Sequence, residues 1–236
     1  MAVIEKKQKN DLHSHLHLIT IELSLKIQDV IIRPKYVEVK MRKKSHISLA
    51  RYIVGTMGVE ELREHKKAFD LGSILPDCKP SFLTKRHEIN GTFDDVKRYI
   101  FDLTTFCDIS ARNSRAYFRN LGQVIHYIAD YFTFPHNDIY QGSIKEHCMY
   151  EKELKHTLNE YIKSGEAEKN KREAQNFKTP EALLDYVLKA HEEYLKVKKT
   201  VAEDCKYIVK ICHTVVEAVI NLLNQKLEKN YMPVIV

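Results

Sequence analysis

The 236-residue sequence contains no tryptophan and few of the residues that interrupt helices. Its 7 glycines and 6 prolines are too few for a fold built from many short strands joined by tight turns. Its 5 cysteines are an odd number and form no Cys-x-x-Cys pair, so the sequence indicates neither a disulfide framework nor a thiolate zinc site. These absences favour a mainly helical chain in a reducing compartment.

Long apolar runs and a secretory leader are missing as well. No stretch approaches the roughly 18 uninterrupted apolar residues of a membrane-spanning helix. Near the N-terminus, Asp11, Glu22 and three histidines interrupt what would be the apolar core of a signal peptide. We therefore expect a cytoplasmic protein that makes at most peripheral contact with a membrane.

The charge of the chain excludes little. There are 38 basic and 32 acidic residues, and the formal net charge of +6 would favour anionic partners. The two signs are interleaved along the chain, which is typical of solvated helix faces. Charge therefore predicts no stable nucleic-acid partner, and no pattern in the sequence indicates an oligomeric state.

The first 40 residues differ from the rest of the chain. Apolar and polar residues alternate there, and Ile and Val are frequent, which is typical of a strand or an extended arm. His13, His15 and His17 would share one face of such a strand and could bind a metal, but no carboxylate lies in register to complete a site, so a polar face is the simpler interpretation. We predict an N-terminal extension over residues 1–40 and a helical domain over residues 41–236.

From residue 45 onward, apolar residues recur with the period of a helix. Ser45 is a candidate N-cap, Thr179 and Pro180 form a second helix start, and Pro135 cannot continue a helix. Residues 71–92 hold two prolines and two glycines and predict a long ordered loop, a feature that is usually functional in compact domains. The pattern predicts an all-α, multi-helix fold with helices over residues 45–57, 59–69, 94–107, 114–132, 144–162 and 179–199 and a last one ending near residue 229.

Eight side chains that can bind a metal fall at spacings that allow them to converge. His126 and Asp130 lie four residues apart on one predicted helix and therefore share a face, and His147 and Glu151 repeat this spacing on the next helix. His136 follows the end of the first of these helices, where the chain turns away. The remaining three candidates lie upstream: His46, Asp77 and His87.

Each of these residues alone has a simpler explanation. A His four residues before an Asp on a helix usually forms an ion pair or a hydrogen bond, and His126 lies among apolar neighbours, as a satisfied core histidine would. The combination of all eight is improbable by chance. Imidazole nitrogens and carboxylate oxygens are the ligands that hold catalytic zinc while leaving a position open for water, so the pattern predicts a zinc site.

This set of residues resembles the zinc-dependent phospholipase C family, bacterial helical enzymes whose three-zinc cluster is shared by the single-strand nucleases of fungi and plants. The motifs that carry the resemblance are SHISLA around His46, GSILPD ending at Asp77, the following His87, HYIADYFTFPH from His126 to His136, and HCMYE from His147 to Glu151. They span roughly residues 45 to 155. The resemblance implies a phospholipase C-like helix bundle.

The resemblance also implies how the ligands are divided between two or three zinc ions. The first zinc takes Asp77, His87, His126 and Asp130. The second shares the Asp130 carboxylate and takes His46. The remaining zinc takes His136, His147 and Glu151. In secreted members the second zinc also takes an N-terminal Trp, which this Trp-free sequence lacks.

The activity implied by the resemblance is hydrolysis of a phosphodiester or a phospholipid by a metal-activated hydroxide. Asp77 would be either a zinc ligand or the catalytic base that orients the water, and the sequence leaves both roles open. One alternative is a nuclease or nucleotidase with the same cluster, for which Arg112, Arg115 and Arg119 could line a basic groove, although on a helix they are more often a solvated face. Another is a non-catalytic helical module that zinc stabilises.

Overall fold

The structure is a computed structural model that describes residues 43–79, 87–108, 112–169 and 175–231. No strand occurs within these ranges and helices occupy most of them, so the protein is all-α, as the sequence predicts. The described residues belong to one unit of the chain, Met41–Val236. The predicted N-terminal extension with its three histidines lies outside the described residues, and its boundary with the helical domain stays a prediction.

We number the α-helices in chain order. They are α1 (residues 43–56), α2 (Glu60–Glu64), α3 (Lys66–Gly72), α4 (Ile89–Thr104), α5 (Arg115–Tyr131), α6 (Ile144–Lys163), α7 (Glu166–Lys169), α8 (Pro180–Lys196) and α9 (Val201–Tyr231). Two short 3-10 turns matter for the site, Pro76–Cys78 and Phe134–His136.

The structure differs from the predicted helices in the region before α5. The predicted helix over residues 59–69 is two helices, because the backbone breaks at His65 (φ −98°, ψ 18°). The predicted loop over residues 71–92 is shorter, since α4 begins at Ile89 and not near residue 94. Asn90 and Gly91 fit in the first helical turn, where the backbone N–H groups need no acceptor within the helix. Residues 80–86 of this loop lie outside the described ranges.

Helix α5 runs through the centre of the described fold. Its N-cap is Ser114, whose hydroxyl accepts the backbone N–H of Tyr117 at 3.1 Å. Every residue from Leu121 to Tyr131 is buried, and α3, α4 and α9 all pack against the helix. A helix that is apolar on most of its surface belongs in a core. The two polar residues in this stretch with metal-binding side chains, His126 and Asp130, are therefore carried into the interior.

Two glycines allow α3 and α5 to touch through their backbones. A Cβ atom on Gly72 would lie 2.1 Å from the carbonyl oxygen of Arg119, and one on Gly122 would lie 2.4 Å from that of Phe69. No side chain fits at either position without a shift of backbone. This close contact brings the residues that follow α3, including the turn with Asp77, against the buried half of α5.

The Gly122→Ala variant is expected to lose at least about 2 kcal/mol of unfolding free energy, because overpacking against a backbone cannot be relieved by rotating a side chain. Gly55 on α1 is the matched control, since no atom lies within 4 Å of its Cβ position. Gly55→Ala should gain up to about 1 kcal/mol from helix propensity. Urea unfolding measures both, and equal stabilities of the two variants would contradict the close packing.

Helix α9 is the longest helix among the described residues. By length and composition alone, Val201–Lys229 could cross a membrane, although 61% of its most apolar window is buried inside the protein. Core helices of soluble proteins pass the same test. The search of the sequence for an uninterrupted apolar run missed this helix, because its apolar residues are interrupted by a few charged ones. Its length and composition are weak evidence for a membrane span.

Candidate metal centre

The structure brings all eight predicted ligand residues together. Four segments and helices α5 and α6 supply them: α1, the two 3-10 turns, His87 just before α4, and then α5 and α6 themselves. Their ligand atoms form three groups, and within each group these atoms lie within 4.8 Å of one another. We name the groups after one member each: the His46 group (His46, His126, Asp130), the Asp77 group (Asp77, His87, His126) and the Glu151 group (His136, His147, Glu151). The Glu151 group has the members that the resemblance implies for one zinc. The other two groups share His126, whereas the resemblance implies that Asp130 is the shared residue. Metal binding itself stays a prediction.

Asp130 lies where the groups meet. Its Oδ1 is 3.2 Å from Nε2 of His46 and 4.0 Å from Nε2 of His136. Its Oδ2 is 3.0 Å from Nδ1 of His87 and 3.3 Å from Nε2 of His126. Because the two oxygens face different imidazoles, this one carboxylate is placed to bridge two cations.

The charge state of Asp130 also suits a cation. Burial by itself would raise the pKa of this carboxyl, but His136, His126 and His46 outweigh burial and hold the pKa well below its ordinary value. The group is therefore ionised at neutral pH. An ionised carboxylate in the interior needs positive charge close by, which bound metal ions would supply.

Asp77 is a candidate ligand whose two carboxylate oxygens are both buried without a hydrogen bond from a described residue. Its Oδ1 is 3.6 Å from Nδ1 of His87 and 3.5 Å from Nε2 of His126, beyond hydrogen-bond distance. Its side chain is fully buried, and neither oxygen has a hydrogen-bond partner among the described residues. Leaving such a group unsatisfied is costly, and a cation between Asp77 and the two imidazoles would remove that cost.

The proton of His126 is placed by the backbone of the residue that follows α3. Nδ1 of His126 lies 2.9 Å from the carbonyl oxygen of Ser73. A carbonyl oxygen can only accept, so Nδ1 is the donor and Nε2 is the nitrogen that faces the site. Metal-binding histidines are usually oriented by such a hydrogen bond on the other ring nitrogen. The contact between α3 and α5 thus orients the ring as a metal ligand at this place would need.

The Glu151 group joins the second 3-10 turn to α6. Oε1 of Glu151 is 2.9 Å from Nε2 of His147 and 3.3 Å from Nε2 of His136. Helix α6 starts with a capping box, in which Ser143 and Glu146 each accept the other's backbone N–H. The box fixes the first turn of α6, and His147 follows directly after it.

Two cavities adjoin these residues. A small one of about 20 Å³ lies between the His46 and Glu151 groups, which is room for one water molecule. It is lined by His46, Asp130, His136 and Glu151 and by the apolar side chains of Leu49, Leu154, Leu158 and Ile208. The space between the ligands is thus closed in on one side by apolar side chains.

A larger cavity of about 420 Å³ reaches His136 from the other side. Its volume lies in the range of small-molecule sites. Its lining contains neither Lys nor Arg in the part of the chain that the structure describes, and several lining residues are apolar, including Phe93 and Leu188. The lining also holds four carboxylates: Glu88, Asp94, Asp138 and Glu192.

Asp204 on α9 is a residue of this region that the sequence analysis missed. It accepts hydrogen bonds from the backbone N–H of Phe134 and from the hydroxyls of Tyr150 and Tyr194. Burial raises its pKa to about 6 against the lowering effect of these bonds. The sequence held one signal that could have identified Asp204: it is a single Asp on the apolar face of a long helix, four residues before Ile208, which is buried.

Comparison with known proteins adds one finding. The family model described as zinc dependent phospholipase C matches residues 45–201, well over half of the chain. All eight residues of the three groups lie in this interval. Neither a curated protein nor a solved structure matches the chain.

Proposed function

Because the chain belongs to the zinc-dependent phospholipase C family, we propose that it is a zinc-dependent hydrolase that cleaves a phosphodiester bond in a phospholipid or in a small soluble ester. The observation that carries the proposal is the Asp77 carboxylate, which is fully buried beside two imidazoles and accepts no hydrogen bond from any described residue. A folded chain tolerates such a group when a cation completes it. Zinc is the cation that the family and the His and carboxylate donors favour.

The proposed ligands divide between two or three zinc ions. Asp77, His87 and His126 would hold the first together with Asp130, whose other oxygen would reach a second ion held by His46. The remaining ion would take the Glu151 group. The oxygens of Asp130 support this sharing, since each lies within 3.3 Å of a different imidazole nitrogen.

Phosphodiesters hydrolyse slowly because their anionic oxygens repel a nucleophile and the leaving alkoxide is poor. Zinc, when bound, neutralises charge on the phosphoryl oxygens and lowers the pKa of water toward neutrality. Asp77 would orient the attacking water and accept its proton, because Oδ1 faces both His87 and His126 and Oδ2 is left for the water. Leu49, Leu154 and Leu158 keep bulk water away, which strengthens electrostatic interactions in the site.

The Asp77→Asn variant separates the two roles left open for this residue. If Asp77 is the base, the amide keeps an oxygen toward the metal but cannot take a proton, so turnover should fall by about 10²- to 10⁴-fold while most of the zinc stays bound. Metal analysis and turnover of a verified substrate are measured on the same preparation. Unchanged turnover would exclude the base role. Loss of the zinc would show that Asp77 acts mainly as a zinc ligand.

The lining of the larger cavity favours a single phosphodiester over a polynucleotide. A single-strand nuclease needs a basic groove that follows the backbone and aromatic rings for base stacking. Among the described residues, the lining of the cavity at His136 has four carboxylates and no Lys or Arg. Arg112, the first of the three arginines considered for a groove, pairs with Glu61 at 3.2 Å. Turnover of phospholipid vesicles or of a generic phosphodiester, with none of single-stranded DNA, is the expected result.

A purely structural role for zinc is the remaining alternative. A structural zinc site closes with four ligands, whereas this chain gathers eight candidate ligands in three groups, two of which share His126. The larger cavity also leaves His136 accessible from one side. Both features support catalysis. A protein that binds zinc tightly but hydrolyses none of the phosphodiesters tested would favour the structural role.

The cysteines support the proposed cytoplasmic location. All five lie in the described ranges, and no disulfide joins any of them. Three are buried, where burial raises the pKa of Cys107, Cys205 and Cys212 and makes the thiols unreactive. Cysteines that form no disulfide, in this number, are typical of a reducing compartment.

A further inference from the structure

Asp204 makes three hydrogen bonds of equal length inside the core. Its side chain is completely buried. Oδ2 accepts the backbone N–H of Phe134 and the hydroxyl of Tyr150, both at 2.8 Å. Oδ1 accepts the hydroxyl of Tyr194, also at 2.8 Å. The two carboxylate oxygens therefore serve different parts of the chain.

The partners of Oδ2 belong to the two segments that carry the Glu151 group. Phe134 lies in the 3-10 turn, two residues before His136. Tyr150 lies on α6, directly before Glu151 and three residues after His147. One oxygen atom thus ties the turn to the helix. Tyr194, the partner of Oδ1, lies on α8, which carries none of the eight candidate ligands.

The aromatic rings of the same segments strengthen this connection. The rings of Phe134 and Tyr150 pack edge to face with their centroids 6.1 Å apart. Tyr140 packs against Phe134 at 5.2 Å and against His147 at 6.0 Å. The rings hold the turn near α6, but ring contacts allow the turn to slide along the helix, whereas a hydrogen bond to a backbone N–H fixes its position. That constraint comes from Asp204.

We infer that Asp204 is a positioning residue that sets the separation of His136 from His147 and Glu151, and with it the zinc affinity of the Glu151 group. The inference rests on the proposed function, since it assumes that this group binds zinc. The physical reason is preorganisation, because a metal binds more tightly where its ligands already stand at coordinating distance. Hydrogen bonds to a buried carboxylate are short and strong, which suits this task.

Two tyrosine variants test the inference against a merely structural role. Tyr150→Phe and Tyr194→Phe each remove one 2.8 Å hydrogen bond to the same carboxylate, and only the first acts on a segment with ligands. Stepwise zinc dissociation constants are measured by competition with a chromophoric chelator, and His147→Ala identifies the step that belongs to the Glu151 group. The visible spectrum of the cobalt-loaded proteins gives a second readout of ligand geometry.

Tyr150→Phe is expected to weaken the Glu151 step about tenfold and to change the cobalt spectrum, while Tyr194→Phe leaves both within about twofold of the wild type. Equal effects of the two variants, or no effect of Tyr150→Phe, would overturn the inference and leave the proposed function standing. If the wild-type protein shows no zinc-binding step that His147→Ala abolishes, the Glu151 group does not bind zinc. That result would overturn both the proposed function of this group and the inference.

Discussion

Turnover of the Asp130→Ala variant is expected to fall by at least about a thousandfold, which corresponds to about 4 kcal/mol of lost transition-state stabilisation. The carboxylate of Asp130 lies within 3.3 Å of nitrogen atoms of His46, His87 and His126. Removing it takes away a carboxylate that is placed to bridge two ions and leaves buried imidazoles facing one another. The variant should therefore also lose at least one zinc ion per chain.

The matched control for this variant is Asp185→Ala. Asp185 is exposed on α8, so the substitution removes a carboxylate of the same kind away from the site. Turnover and zinc content of the control should equal those of the wild type. Wild-type zinc content and turnover in Asp130→Ala would show that Asp130 does not bridge metal ions.

Removal of zinc by a chelator is expected to lower the unfolding temperature by roughly 8–16 °C for each zinc site. A site held at a thousandfold excess of free zinc over its dissociation constant contributes about 4 kcal/mol, and each kcal/mol shifts the midpoint of a chain of this size by roughly 2–4 °C. The stripped protein would also leave the Asp77 and Asp130 carboxylates buried without a cation. Scanning calorimetry with and without chelator measures the shift.

Metal identity provides the control for this experiment. Adding back zinc should restore the original midpoint, whereas magnesium should not, because it prefers oxygen ligands and octahedral geometry. An unchanged midpoint after complete removal of metal would contradict the view that the three groups are metal sites. A midpoint restored equally by magnesium would argue against nitrogen ligands.

The helical architecture and the shared face of His126 and Asp130 could both be predicted from sequence because each depends on local spacing. The 3.6-residue period located α5, α6 and α8 to within a few residues, and the four-residue spacing placed His126 with Asp130 on one face. The early start of α4 was missed, because Asn90 and Gly91 are poor helix formers inside a helix but are tolerated in its first turn.

What the sequence could not predict depends on contacts between distant parts of the chain. The proton on His126 is fixed by the carbonyl of Ser73, which is 53 positions away and has no side-chain signature. The hydrogen bond from Phe134 to Asp204 spans 70 positions. The larger cavity arises from the way α4, α8 and the turn at His136 meet. Spacing along one helix carries no information on such contacts.

Metal analysis of the purified wild-type protein tests the central claim most directly. The eight residues of the three groups are proposed to hold two or three zinc ions per chain, and elemental analysis after dialysis against metal-free buffer measures that number. We predict at least two zinc ions per chain, with turnover of a phosphodiester in the same preparation. Fewer than one metal ion per chain, in a folded protein, would contradict the zinc-dependent hydrolase.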